Sequence, residues 1–504
     1  MKRSPGSYLR LSLKGQSGFR GSRHWFALLS LLVLGLLTTS ALLIPMASAF
    51  ANGQNASVVI GQPNFNTNYR DITQLNQSRL GGAYDVTFDS SGNLWVADSA
   101  GSRVLEFNPP FSNGESASVV IGESSFTSTP FSGGPPNGTV LFTPEGIAFD
   151  SSGNLWVSDS GDNRIVEFKA PFSSGENASF VLGAPDLRTE ESPGESGTST
   201  TLDAPAGIGF DTSGNLWVAD ESFYRVLEFT APFSIGEAAS VVLGQNNFTA
   251  KTFPNEPNCP PACNTPTKAT LNDPSAVAFD HSGNLWVADR SDSRVVEYTP
   301  PFSNGESASI ILGGGCAIFG VELAANCFDV TDGITFDHSG TLWVSDTSNG
   351  RVLGYPSPIT PGENATVVLG QQDFVTGPSA GILNATQSNL STPEGLTVDA
   401  SGNLWVADDG SLNRVLEFSA SVIGTSTTAS STIASSTTTS MQSSSIVLSS
   451  QTTTSAQSIS SATSNASATG SIPEFPYQFA FATVFTLVLA GAYIAMRRRN
   501  VVRP

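Results

Sequence analysis

The sequence predicts an all-β fold, a six-bladed β-propeller, carried between an export signal and a membrane anchor. Two observations predict it. One line, "DSSGNLWVADSAGSRVLEF" at residues 89–107, returns five more times, from Asp150, Asp211, Asp280, Asp337 and Asp399. Six of the seven tryptophans (Trp95, Trp156, Trp217, Trp286, Trp343 and Trp405) hold the same place in it, at steps of 61, 61, 69, 57 and 62 residues. A fixed period of this size marks a repeat architecture.

Residues 1–49 read as a signal peptide. A basic segment with Lys2, Arg3, Arg10, Lys14, Arg20 and Arg23 precedes the apolar run "WFALLSLLVLGLLTTSALLIP". "ASA" follows, the small-x-small pattern of a cleavage site, which places the cut after Ala49. An uncleaved N-terminal anchor is the alternative, because the run is long for a signal.

Residues 50–420 hold the repeats. Each unit has four short apolar runs, in the second "GIAFD", "NLWVSD", "RIVEF" and "ASFVLG". Their alternation and β-branched content make them strands, here called a to d, with Ser-Gly-Asn supplying the positive-φ residue of the a–b turn. In "NLWVAD" Leu and Val point one way while Trp and Ala point the other. Both faces are apolar, so both need a cover, and radial stacking supplies it. The tryptophans are then structural wedges between blades. The d-strand sequence begins at Ala56, Ala117, Ala178, Ala239, Ala308 and Ala365. Its first copy precedes any full repeat, and the sixth repeat has none of its own. The strand near Ala56–Gly61 is therefore expected to complete the last blade and close the ring, hiding its edges.

Residues 421–472 form a Ser/Thr-rich stalk that cannot bury enough apolar surface to fold. Residues 473–496 hold "PEF" and an uncharged run from Tyr477 to Met496, long enough for a transmembrane helix. The basic tail, residues 497–504, opens with Arg497, Arg498 and Arg499, which places the C-terminus in the cytoplasm and the propeller outside the cell. The "SIPEFP" stretch resembles the PEF-type tails of archaeal surface proteins, a resemblance that implies processing of the anchor.

"PEGIAFDSSGNLWVSDSGDNRIVEF", residues 144–168, resembles the NHL repeat. The resemblance extends over about residues 50–420 and implies a six-bladed propeller, the number reached from the repeats. "PSAVAF" in the fourth unit and "VLGYP" in the fifth depart from the pattern.

Between residues 50 and 470 there are 13 basic and 42 acidic residues, a net charge of −29. Such a surface repels phosphate backbones, so no nucleic-acid partner is expected. Glycosylation candidates are Asn55, Asn76, Asn137, Asn177, Asn247, Asn364, Asn384, Asn389 and Asn465. Cys259, Cys263, Cys316 and Cys327 read as disulfide cysteines outside the cell, with Cys259–Cys263 and Cys316–Cys327 the favoured pairs of three connectivities and zinc the lesser reading.

No catalytic or metal-ligating residue is assigned. The six Asp–Arg pairs (Asp98 with Arg103, Asp159 with Arg164, Asp220 with Arg225, Asp289 with Arg294, Asp346 with Arg351, Asp408 with Arg414) read as turn-fixing contacts, and Asp89 with its equivalents as Asx turns. Propellers similar to NHL proteins include amidating lyases with histidine-bound zinc, lactonases with a carboxylate-bound metal and histidine-dependent antibiotic lyases. Past the signal only His281 and His338 remain, both in a–b turns, so a three-histidine zinc site is ruled out. No cofactor is expected, with a divalent cation in an acidic channel left open. The b–c turns and blade-to-blade connections share one face and hold the variation, at 123–143, 184–204, 245–273, 314–332 and 371–392. The function expected is a cell-membrane, single-pass, extracellular module for adhesion or scaffolding, taking a protein or glycan ligand on that loop-rich face. The alternative is a propeller enzyme of the lactonase, hydrolase or lyase type with a metal in the channel.

Overall fold

The computed structural model describes residues 48–422 apart from 69–71, 129–134, 190–193, 195–196, 252–265, 315–322, 378–384 and 411. Most of the signal segment, nearly all of the stalk, the run at 477–496 and the basic tail lie outside the described residues. Among the described residues no helix is long and apolar enough to cross a membrane.

The described residues form six four-stranded antiparallel sheets and one two-stranded pair. Blade 1 is Ala83–Phe88, Leu94–Asp98, Arg103–Phe107 and Val119–Ile121, and blades 2 to 5 repeat the pattern. Blade 6 takes its a, b and c strands from Thr392–Val398, Leu404–Asp409 and Arg414–Phe418. Its d strand is Val58–Ile60, paired antiparallel to Arg414–Phe418 with Val59 opposite Leu416. The a strands contact one another from blade to blade, including 6 to 1, and wall a central channel. The ring is closed as the orphan "ASVVIG" requires.

Every b strand from Leu94–Asp98 onward is buried along its length, except the final Asp409 of the sixth. The tryptophans are the largest buried side chains and lie against the following blade. Trp95 meets Phe149 and Phe172 of blade 2 edge-on, the latter at 4.8 Å between ring centroids, a preferred aromatic geometry. The phenylalanine of the next c–d turn meets Trp156, Trp217 and Trp405 in the same way, as Phe233, Phe302 and Phe111. At Trp343 that ring comes from Phe50, 4.8 Å away. The N-terminal segment thus supplies part of the last c–d turn as well as the d strand. Asn52 Oδ1 accepts from the Val368 amide as Asn113 Oδ1 does from Val59. At Trp286 the corresponding residue is Ile359, and a cavity of about 230 Å³ opens there beside His281 and Glu297.

The Asx turns form as expected. Asp89 Oδ1 accepts from the amides of Ser91 and Asn93, and Gly92 takes φ +82°. Asp89 also does something not foreseen: Oδ2 accepts from the Trp95 indole at 3.2 Å, and the other five copies repeat this. One aspartate thus shapes the turn and satisfies the only polar atom of the wedge.

Candidate functional site

The a strands begin, and the b strands end, on the face of the b–c turns and blade-to-blade connections. Every a–b pairing carries a register shift near its start, such as between Pro144 and Ile147. A bulge re-aims the side chain at that point. The residue after the strand's first position is Tyr84, Glu145, Ala206, Ser275, Asp332 and, after Pro393, Glu394 in blades 1 to 6. The residue following the buried aspartate of strand b is Ser99, Ser160, Glu221, Arg290, Thr347 and Asp409. These two rings, six residues each, meet at the channel mouth, and no two blades present the same pair.

The next position needs no side chain in four blades. A Cβ on Gly146, Gly207, Gly333 or Gly395 would collide with the following a strand, because the strands approach closely round the channel. Blade 1 has Asp85 instead, whose Oδ1 accepts from Val86 N at 2.8 Å and Oδ2 from Ile147 N at 3.0 Å. Just before the a strands of blades 2 to 5, Thr143, Ala204, Asp273 and Val330 hold positive φ, a strained backbone conformation.

The cavity below, about 190 Å³, is lined by Tyr84, Asp85, Glu145, Ser275 and Asp332 with Val86, Ile147 and Ile208. Its rim is acidic. Arg290 bridges Asp332 at 2.9 Å and Glu221 at 3.2 Å, reaching blades 5 and 3 from blade 4. Burial pushes the Glu145 carboxyl up to about 8, with Glu221 adding to the effect. Burial likewise lifts Asp85 to about 7 and Asp409 to about 6. Glu394 is raised well above the carboxylate range by burial and by Asp332, against which it lies. Because Arg290 favours the charge on Asp332, a proton shared by that pair sits on Glu394.

The raised Glu145 carboxyl has a stability consequence. The folded state keeps this proton from about pH 4.5 to about 8 while the unfolded chain loses it, so stability falls as pH rises through that window. Glu145→Gln is expected to flatten the decline and to gain roughly 2 kcal/mol over the parent at pH 8.5, with no gain at pH 4. That figure is kept below the full linkage value because the side chain is only partly enclosed. Urea melts at the two pH values check it, and an equal difference at both would mean that the Glu145 proton is not the source of the decline.

The Asp–Arg pairs form as expected beside the b–c turns, and they are buried. Asp159 and Arg164 face each other across strands b and c with no exposure. Arg164 donates to the carbonyls of Asn137 and Val140 in the connection before the blade, and of Leu187 in the one after. Asp159 Oδ1 accepts from Phe142 N at 2.6 Å. The pair holds the base of two variable connections on a rigid frame.

His281 and His338 lie exposed in a–b turns on the opposite face. Among the described residues no group of three or more His, Cys, Asp or Glu is placed to hold a metal ion. Cys327 is disulfide-bonded. Cys259, Cys263 and Cys316 lie outside the described residues. Asn55, Asn177 and Asn364 are exposed at the same place in three c–d turns, and Asn247 is exposed in a connection. Asn76, Asn137 and Asn389 are half-buried and use their side-chain oxygens to cap nearby amides. Asn384 and Asn465 lie outside the described residues. The mouth residues escape a reading of the repeats for agreement. Column-wise disagreement, Glu145 against Ala206 or Asp85 against Gly207, is the signal that finds them.

Residues 143–168 match the NHL repeat family. The chain is 23% identical to teneurin-4 of Homo sapiens over 292 residues, covering 52% of this chain and 10% of that protein. It is 24% identical to teneurin-3 of Danio rerio over 293 residues, again 52% of this chain and 10% of that one. The chain thus spans about a tenth of the length of these curated relatives. Among solved structures, it resembles an auxiliary nutrient binding protein from Bacteroides thetaiotaomicron (14% identity, TM-score 0.42, 67% of this chain and 69% of that one). It also resembles virginiamycin B lyase from Staphylococcus aureus (13%, TM-score 0.37, 70% and 87%).

Proposed function

We propose that the protein is a membrane-anchored extracellular binding module that takes a protein or glycan ligand on its loop-rich face, at the channel mouth. One observation carries this reading. Twelve positions that differ among otherwise matching blades converge there, where variation on a rigid frame serves recognition. A second supports it: strand Arg414–Phe418 carries the chain away from the mouth, so that it leaves the propeller at Ser421–Val422 on the opposite face.

A second reading, a hydrolase or lyase, is favoured by the carboxyls held protonated near neutral pH beside a cavity. It predicts stoichiometric metal on elemental analysis, or turnover of a lactone, that Glu145→Gln abolishes. The binding reading predicts a partner on an array of surface proteins and glycans, lost on Glu145→Gln and Asp409→Asn and kept on His338→Ala at the opposite face. An array with no binder sinks it.

A further inference from the structure

We propose that the cavity beside Trp286, on the face opposite the channel mouth, is a second binding site. Its ligand is a phenylalanine side chain of a protein partner, with a basic residue next to it.

The molecule itself shows what fits this place. At five blade junctions a phenyl ring meets the wedge tryptophan edge-on, at 4.7 to 5.0 Å between ring centroids. Four of these rings come from the c–d turn of the next blade and the fifth is Phe50. Between blades 4 and 5 the turn brings Ile359 instead, shorter than a phenyl group and without a ring edge to present. The cavity of about 230 Å³ lies there. Buried Trp286 and half-buried Ile310, Phe336 and Ile359 form its apolar side, and exposed His281 and Ser357 its rim. An apolar cavity of about 150 Å³ is already large enough to hold benzene.

The polar groups around it set the rest of the ligand. Asp280 Oδ2 accepts from the Asn284 and Trp286 side chains, and Glu297 accepts from Asn284 and Ser309. Both carboxyls therefore have their hydrogen bonds, and the contact still to be made is apolar. Their donors are neutral, however, and neither forms an ion pair among the described residues. A lysine or arginine next to the incoming ring complements that charge. The strand edge points to a peptide rather than a free aromatic compound. Asn52, Asn113 and Asn304 accept from the edge amides of Val368, Val59 and Val242. Pro361 stands at that place in the turn of blade 5, so the Ile311 amide lacks the side-chain acceptor that those three amides have. A peptide carbonyl meets that need, and a bare ring does not.

The test titrates the purified chain with N-acetyl-lysyl-phenylalanine methylamide, using the lysyl-alanine analogue and toluene as controls, and follows the ligand by saturation-transfer NMR. Saturation is expected to reach the phenyl protons, with a Kd of about 1 mM that rises with salt, and the alanine analogue should not bind. Ile359→Phe gives this junction the ring that the other five have. It should raise the melting temperature and weaken peptide binding at least tenfold. Ile359→Ala, which widens the cavity, should still bind the peptide while melting cooperatively. Four results overturn the proposal: no peptide binding at about 10 mM, equal binding of the alanine analogue, toluene bound as tightly as the peptide, or parental binding by Ile359→Phe. Equal binding of toluene would make this a site for free aromatic compounds, and parental binding by Ile359→Phe would seat the ring elsewhere. The channel mouth is judged separately, by the array and its own variants.

Discussion

A chain lacking residues 50–60 is expected to lose cooperative unfolding and to self-associate through the exposed edge of Arg414–Phe418. The segment buries Val59 and Ile60 completely and Ala56 almost so. Burial of the two larger side chains alone contributes about 1.5–3 kcal/mol each. The deletion also removes Phe50 from Trp343, the Asn52 bond to Val368 and the bond from the Gln62 side chain to the Leu412 carbonyl, which the shortened segment would no longer position. Such a sum is comparable with the whole stability of an ordinary domain, about 5–15 kcal/mol. An open c strand then offers unpaired amides and carbonyls to another chain. Thermal unfolding and size-exclusion chromatography read the result, and a synthetic peptide of residues 50–62 should restore the monomer. An unchanged melting transition would remove this segment from the closure of the ring.

Arg164→Ala is the second large effect. It strips Asp159 of its partner at a site with no solvent, which costs about 3–5 kcal/mol in buried pairs. The carbonyls of Asn137, Val140 and Leu187 lose their donor too, so the loss should lie at the upper end. Asp159→Leu with Arg164→Met, which leaves no uncompensated charge, should be the more stable of the two proteins. Guanidinium melts compare them, and hydrogen exchange should rise first at residues 137–142 and 185–189. A single variant within 1 kcal/mol of the parent would mean that the connections hold themselves in place.

The blades were legible because their chemistry repeats. Trp95 and its equivalents, Asp89 with its turn and the Asp98–Arg103 pair recur at a spacing that admits few other folds. Closure was legible from one displaced d strand. The turn before it is a fainter signal, although "FANGQNASVVIG" at Phe50 parallels "FSNGESASVVIG" at Phe111 residue for residue at Phe, Asn and Gly. The mouth was not legible, for a physical reason. Glu145 and Glu394 share a sequence position with Ala206 and Ser275, and only closure of the ring brings residues more than 200 positions apart to one rim. The depth of Asp159 and Arg164 was hidden for the same reason, since each repeat shows a polar pair beside a turn and not the connections that cover it.

The closure of blade 6 has a mechanical meaning. Strands in this propeller run from the mouth face to the face where Val422 leaves the ring. Under the proposed function, a pull between a ligand at the mouth and a tether attached through Val422 is directed along Arg414–Phe418. That strand is flanked by Leu404–Asp409 on one side and by Val58–Ile60 on the other. Its ladder bonds then carry force side by side in shear, and must fail together. The same pull applied across the strands would open them one at a time. The borrowed N-terminal strand therefore does for tension what it does for the exposed edge: it adds a second row of bonds to the one strand through which the load passes.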